Sequence, residues 1–279
     1  SSPALKRGDF LLKSYLMKTQ IPNHMNALIL AAGFGTRLEG TLNTYQGRYV
    51  EQLTQWIKDK PKGLVPIDGK PIVTHQLKQL RKAGVQLNNI YVQTNQRYYR
   101  QYVEWAAQQG IPCENIFNNS VTKNEDRKEQ VLDILLGISR IGPGQPLFLF
   151  ASDTLVYETD GLLDLSPMVE TYKKEGLSSV VVYYKEKNAS SHGVITIDKH
   201  YRLTSFREKP QDAVSGLVNA SVYLFSPEKL QEMQNLSSEL LKCKNPLELV
   251  GDNFKVIQAS SRLDLGTIDD VLKANGNLD

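Results

Sequence analysis

The chain has 279 residues, of which 41% are hydrophobic and 23% charged, the balance of an ordinary globular protein. Collagen-like, coiled-coil and disordered architectures are excluded, and a chain of this length buries most of its apolar surface without a metal or disulfide staple. The net charge of +3 is too mild for a nucleic-acid binder, which concentrates basic residues in a stripe, but it leaves room for a local cationic pocket.

Cys113 and Cys243 lie far apart with no metal or redox spacing, and read as free thiols of a reducing compartment. Apolar runs fall far short of the ~20 residues that cross a bilayer. Phe10-Leu11-Leu12 is interrupted downstream by Lys13 and Lys18, so it makes a poor signal peptide. The expectation is a cytoplasmic protein with no membrane and no nucleic-acid partner. Residues 1–24 read as an N-terminal extension, with Met17 and Met25 as alternative starts, and 25–279 as one domain. Within it, 25–155 and 156–279 read as two halves.

Asn26 to Ala32 is a short apolar run entering a glycine-rich turn, the pattern of a buried parallel strand. Tyr49 to Ile57 is helix-like, and Asp68-Gly69 marks a turn. Pro71 to Ala83 predicts an amphipathic helix with a proline start and a Gly84 stop. Asn89 to Thr94 predicts a strand, Tyr98 to Gln109 a helix, Asn115 to Phe117 a short strand, Glu129 to Ile138 a helix and Pro146 to Ala151 a core strand. This alternation implies an α/β, Rossmann-like three-layer α/β/α fold: a mostly parallel mixed sheet with helices on both faces. From Ser178 the texture changes to strands at hairpin-like spacing: Ser179–Tyr184, Gly193–Ile197, Leu203–Phe206 and Val218–Phe225. A helix at Pro227–Asn235, a strand at Phe254–Ile257 and a terminal helix at Ile268–Asn275 complete the reading.

Four places carry chemistry. Gly33-Phe34-Gly35-Thr36-Arg37 follows the first strand directly, where glycines let backbone N–H groups cradle phosphate oxygens and Arg37 adds a permanent cation. It is neither a dinucleotide fingerprint nor a Gly-Lys-Ser/Thr loop, and a lone Gly-x-Gly is also an ordinary tight turn. Lys62, between Pro61 and Pro66, reads as a second cation for the same phosphates once paired with that loop. Asp153 lies at the C-terminal end of a core strand, the edge where open α/β sheets bind ligands, and Asp264 lies in a similar setting. Either aspartate alone is equally a turn residue. Together, with no His or Cys cluster, they point to Mg²⁺. Glu208 and Lys209 suit a sugar hydroxyl and a phosphate. His24, His75, His192 and His200 sit in no triad-like context, and the absence of Gly-x-Ser-x-Gly disfavours an α/β-hydrolase.

The glycine loop followed by Lys60-Pro-Lys62-Gly-Leu-Val-Pro-Ile resembles the sugar-1-phosphate nucleotidyltransferases. The resemblance continues in the family's order through Tyr91–Asn95, Ala151-Ser-Asp153-Thr, His192-Gly193, Phe206-Arg-Glu208-Lys209-Pro, Val218-Asn219-Ala-Ser and Leu263-Asp264-Leu-Gly-Thr, covering about residues 26–275. It implies transfer of a nucleoside monophosphate from an NTP to a sugar 1-phosphate, with release of pyrophosphate and in-line attack at the α-phosphorus. By the same resemblance Arg37, Lys62 and Asp153 are catalytic. Leu30, Ala31, Ala32, Gly33, Gly35, Thr36, Arg37, Asn95 and Thr122 bind nucleotide. Gly193, Glu208, Lys209 and Asn219 bind the sugar phosphate. Asp153 and Asp264 hold Mg²⁺, the expected cofactor; the expected partners are the two small substrates, with a homodimer allowed. No left-handed β-helix or second catalytic domain is expected.

Three departures stand out. Ser152 precedes Asp153 where the family often has glycine. The segment between Arg37 and Lys62 is longer than in short family members and reads as a nucleotide lid or partner insert, with Tyr45, Tyr49 and Trp56 available to cover the pocket. The base-reading loop of thymidylyl- and uridylyltransferases has no clear copy in Asn118–Arg127. A cytidylyltransferase for a phosphorylated alcohol or phosphonate, and a catalytically silent regulatory homologue, stay open as alternatives.

Overall fold

A computed structural model describes residues 24–236, 243, 245–250 and 253–276. The N-terminal extension up to residue 23 lies outside the described residues. Strand β1 (Asn26–Ala31) is buried along its whole length. Its neighbours are β4 (Ile90–Thr94) on one side and β6 (Leu147–Ala151) on the other, both parallel, and β5 (Ile116–Asn118) extends the sheet beyond β4. Strand β6 is the seam. Its other edge pairs antiparallel with the long β12 (Gly216–Phe225), and from there the sheet is built of hairpin-like partners. One part of β12 pairs with β10 (Gly193–Ile197), which pairs with β11 (Leu203–Glu208). The strand also pairs with β9 (Ser178–Lys185), to which β13 (Phe254–Ala259) adds in parallel. The change of texture seen in the sequence at Ser178 is this change of pairing.

Alternation along β1 shows how the layers form. Ala27, Ile29 and Ala31 enter one apolar cluster, and Leu28 and Leu30 the other. The first cluster is closed by helices α3 (Ile72–Lys82), α4 (Tyr99–Gln109) and α6 (Ser166–Glu175), through residues such as Leu77, Tyr102 and Met168. The second is closed by α5 (Gln130–Ile141) and α7 (Pro227–Gln234), through Ile134, Ile138 and Leu230. Helices therefore cover both faces, as the β-α-β alternation implies. None of the described helices is long and apolar enough to cross a membrane.

A third cluster holds the segment that the sequence left open. Helices α1 (Thr36–Thr44) and α2 (Val50–Ile57) bury Leu38, Leu42, Leu53 and Ile57 against Leu155, Leu265 and the terminal helix α9 (Ile268–Ala274). Tyr45, Tyr49 and Trp56 pack on this cluster. Their apolar area is thus spent in a core, and none of the three lines the cavity described below.

Three of the described helices are absent from the sequence expectations: α1, α6 and the short α8 (Pro246–Val250). Helix α1 starts inside the glycine loop itself, and α6 buries only Met168 and Val169, too few positions to show a helical period. The sequence reading also omitted β7 (Thr154–Glu158) and β14 (Ser261–Asp264), short strands whose antiparallel pairing matters for the site.

Candidate active site

A cavity of about 450 Å³ opens at the C-terminal ends of β1 and β6. One wall is the chain from Leu30 to Arg37, with Leu30, Ala31, Ala32, Gly33, Gly35, Thr36 and Arg37 all lining the space. Gly35 takes a left-handed φ of 68° and caps the N-terminus of α1, so the first turn of that helix presents unpaired N–H groups beside the loop. Arg37 leaves the loop towards the turn after Asp264, where its Nε donates to the Gly266 carbonyl at 3.1 Å.

The loop is fastened from behind. Asn95 is fully buried; its Nδ2 donates to the Ala32 carbonyl at 3.0 Å, and its Oδ1 accepts the Tyr98 N–H at 3.0 Å. Tyr98 Oη donates to the Phe34 carbonyl, and Thr94 Oγ1 to the Ala31 carbonyl. Asn95 therefore touches the loop rather than the cavity. Burial, with Glu39 nearby, pushes the Tyr98 phenol up to about 12, so it stays a donor. Thr122 is exposed and outside the cavity, whereas its neighbours Asn124, Arg127 and Lys128 line it.

Beside the loop stands Lys62, part of the 3-10 turn Lys62–Leu64, its Cγ 3.5 Å from where a Cβ on Gly35 would lie. Gly63 makes this turn fit: a Cβ there would lie 2.6 Å from Tyr102 Oη and 3.0 Å from Ser152 Cβ. The close approach aims Lys62 Nζ at Asp153 Oδ2, 3.0 Å away, with both side chains largely buried. Asp153 follows β6 in the turn to β7. The β7–β14 ladder places Asp264 opposite Thr154, and the Leu265 N–H donates to the Asp153 carbonyl. The two aspartates, distant in sequence, become neighbours. Arg262 sits with them, its Nη2 3.0 Å from Thr154 Oγ1 and 3.1 Å from Asp264 Oδ2.

The electrostatics differ for the two carboxyls. Burial opposes ionisation of Asp153, but Lys62 and Arg262 outweigh it and hold its carboxyl below the usual range. Burial and the Asp153 charge together push Asp264 up. The two Asp side chains supply an oxygen-only donor set with no nitrogen or sulfur ligand beside them, and the described residues hold no cluster of three or more His, Cys, Asp or Glu. That set fits Mg²⁺, which takes one or two carboxylates and completes its shell with water and substrate phosphates.

The residues expected at the sugar phosphate lie together on another part of the sheet. Gly193 pairs opposite Glu208 in the β10–β11 hairpin. Lys209 follows, its N–H donating to the His192 carbonyl and its Nζ 3.9 Å from Glu208 Oε1. Asn219 is buried in β12, donating to Tyr223 Oη and accepting the Ser221 N–H at 2.9 Å. None of Gly193, Glu208, Lys209 and Asn219 lines the cavity, although Ser221, which Asn219 holds, does. Tyr102, Arg127, Lys128, Asp133, Ser221 and Arg262 are cavity residues for which the sequence reading had no role. Only Arg262 carried a signal, two positions before Asp264, where strand alternation puts both side chains on one face.

The profile of the nucleotidyl transferase family matches residues 26–279. The chain belongs to that family. It is 28% identical over 217 residues to the mannose-1-phosphate guanylyltransferase catalytic subunit beta of Drosophila pseudoobscura pseudoobscura, covering 77% of this chain and 52% of the relative. It is 27% identical over 211 residues to the UTP–glucose-1-phosphate uridylyltransferase of Synechocystis, covering 73% and 50%. The chain thus spans about half the length of the curated relatives it matches. Among solved structures, a UDP-glucose pyrophosphorylase complexed with UDP-glucose superposes with a TM-score of 0.63 over 91% of this chain and 97% of that one, at 22% identity. The UDP-glucose pyrophosphorylase of Acinetobacter baumanii also gives 0.63, over 90% and 92% at 17% identity. At these identities the superpositions show the shared nucleotidyltransferase fold.

Proposed function

We propose that this chain transfers a nucleoside monophosphate from an NTP to a sugar 1-phosphate, releasing pyrophosphate. The observation that carries the reading is that the helix-capping glycine loop and the Lys62–Asp153–Asp264–Arg262 group line one cavity, with Lys62 packed beside Gly35. A phosphate oxygen of the sugar 1-phosphate attacks the α-phosphorus, a new P–O bond forms, and the bond to the bridging oxygen breaks as pyrophosphate leaves. Such chemistry needs little from protein side chains except positioning and charge neutralisation. The loop N–H groups and Arg37 receive the triphosphate, and Lys62, beside the loop, meets the reacting phosphates. Asp153 and Asp264 would hold Mg²⁺, which when bound offsets phosphate charge. Asn95 keeps the loop in place. Gly193, Glu208, Lys209 and Asn219 form the sugar-phosphate side of the site, and Ser221 joins that side to the cavity.

The test is pyrophosphate release across a matrix of ATP, CTP, GTP, UTP and dTTP against a panel of sugar 1-phosphates, phosphocholine and a phosphonate, with Mg²⁺. Release in a sugar cell is the expected result. Release only with phosphocholine or the phosphonate would replace this reading with a cytidylyltransferase-type one. Silence in every cell with intact NTP binding would overturn the enzymatic reading for these substrates.

A further inference from the structure

Asp133 is a carboxylate in an unusual place. It lies one turn into α5, on a helix whose inward face is otherwise Val131, Ile134 and Ile138, and it is only 6% exposed. Even so, it lines the cavity with Leu30 and Ala31. Its Oδ1 accepts from Asn119 Nδ2 at 2.8 Å. Asn119 is itself locked, its Oδ1 taking the Val121 N–H and its own N–H donating to the Thr94 carbonyl. Among the described residues no donor reaches Asp133 Oδ2, and that oxygen is not one of the fully enclosed unpaired atoms. Burial pushes the Asp133 carboxyl up, opposed by the Asn119 hydrogen bond and by Lys128 and Arg127 at the cavity rim, neither of which forms an ion pair with it. A largely buried carboxylate with one oxygen held from behind by an amide, on a residue that lines a cavity, is placed to accept hydrogen bonds from a ligand there.

Its position indicates which part of a ligand it would meet. The sheet order is β6-β1-β4-β5. Asp153 follows β6, whereas Asn119, the anchor of Asp133, directly follows β5. Three strand spacings separate those ends, on the order of 14 Å along the sheet edge. With phosphates at the glycine loop and the Asp153–Asp264 pair, a carboxylate displaced towards β5 lies on the base side of a nucleotide.

We infer that Asp133 reads the nucleobase and that the base is guanine. The inference rests on the proposed nucleotidyl transfer and names its donor. An ionised carboxylate only accepts hydrogen bonds, and its two oxygens carry about four lone-pair sites, of which Asn119 uses one. Guanine alone among the common bases presents two adjacent donors, N1–H and N2–H₂, on its pairing edge. Uracil and thymine present one N–H between two carbonyl oxygens, which would face the carboxylate with like charge. Adenine and cytosine present one amino group beside a ring acceptor. Matched donor–acceptor pairs of this kind discriminate bases by about tenfold or more.

Calorimetric titration of the whole chain with GTP, ATP, CTP and UTP, each with Mg²⁺ and without any sugar 1-phosphate, tests this apart from turnover. GTP is expected to bind at least about tenfold more tightly than the other three. In Asp133→Asn the amide oxygen can still accept from Asn119, so the fold should persist, as a melting curve will verify. That variant should lose the GTP preference and gain affinity for xanthosine triphosphate, whose C2 carbonyl replaces the guanine amine and can accept from an amide. Tighter binding of UTP, CTP or ATP by the unaltered chain would overturn the inference, as would an undiminished GTP preference in Asp133→Asn. Either result leaves nucleotidyl transfer standing. Failure of all four nucleotides to bind would remove the transfer reading, and this inference with it.

Discussion

Replacing Lys62 by alanine tests the centre of the site. The substitution removes an ammonium 3.0 Å from Asp153 Oδ2, where the side chains are 18% and 26% exposed. Coulomb attraction at that distance is about 5–6 kcal/mol at an effective dielectric of 20, and desolvation of both groups offsets much of it. The net coupling should be about 1–3 kcal/mol, above the range of exposed pairs. A double-mutant cycle of Lys62→Ala, Asp153→Asn and both together, measured by denaturant unfolding at pH 7, should return that value. The single Lys62→Ala change should lower Tm by about 2–8 °C. The sign with pH is fixed. Lys62 helps hold the Asp153 pKa below its unfolded value of 3.8, so the pair's contribution is present above that pH and is lost as pH falls below it. Lys62→Ala should therefore flatten this acid limb. Turnover should fall by about 10²–10³-fold, the cost of losing one preorganised charge at a transition state. A coupling near zero together with an unchanged rate would show Lys62 to be a solvated surface cation, and the catalytic group as drawn would be wrong.

Other expectations follow from the same coordinates. Asp153→Asn should abolish Mg²⁺-dependent turnover while NTP affinity, read by calorimetry, changes little; full activity would remove Asp153 from the metal site. Burial, with Lys185 and Arg262 nearby, lowers His192 from 6.5 to about 4, so the folded state resists a proton that the unfolded chain accepts. Stability should fall by at most about 2–3 kcal/mol as pH drops from 6.5 to 4, and unfolding curves of His192→Gln should show a shallower fall. Leu53→Ala empties a fully buried position in the third cluster and should cost about 2–5 kcal/mol. Because residues 40–58 are part of that core, their protection from proteolysis should be high without nucleotide and rise little with it. A large rise on nucleotide binding would restore the lid reading.

The strands that meet the site were legible because β1 and β6 are continuous apolar runs, and only a doubly covered strand needs such a run. The glycine loop and Asp153 could be placed from the same signal, since each follows such a strand directly. Asn95 was picked out for its motif, but a motif does not say whether a side chain faces ligand or backbone. The hydrogen bonds to Ala32 and Tyr98 decide that it faces backbone. Asp133 was hidden for a related reason. In sequence it is one polar residue in an amphipathic helix, and its burial depends on Asn119, a loop residue whose partner cannot be read from spacing. The segment after Arg37 misled because aromatic residues near a binding loop suit a lid and a core equally. What settles the matter is α9, which supplies Ile268, Val271 and Leu272 as the other half of that core.

The meeting of Asp153 with Asp264 depends on strand register. In β14, Leu263 and Leu265 turn towards the third cluster while Arg262 and Asp264 turn towards the cavity, and the ladder pairs Leu263 with Leu155 and Asp264 with Thr154. A slip of one residue would exchange the two faces. Leu263 would then enter the cavity, and Asp264 would enter an apolar cluster beside Leu155, which is essentially inaccessible to solvent. Burying an unpaired carboxylate there costs several kcal/mol, so the leucines on one face fix where the carboxylate stands on the other. The helices α1 and α2 build that cluster with α9. The long segment between Arg37 and Lys62 thus reaches the cavity through packing: it holds the surface against which the strand carrying Asp264 finds its register.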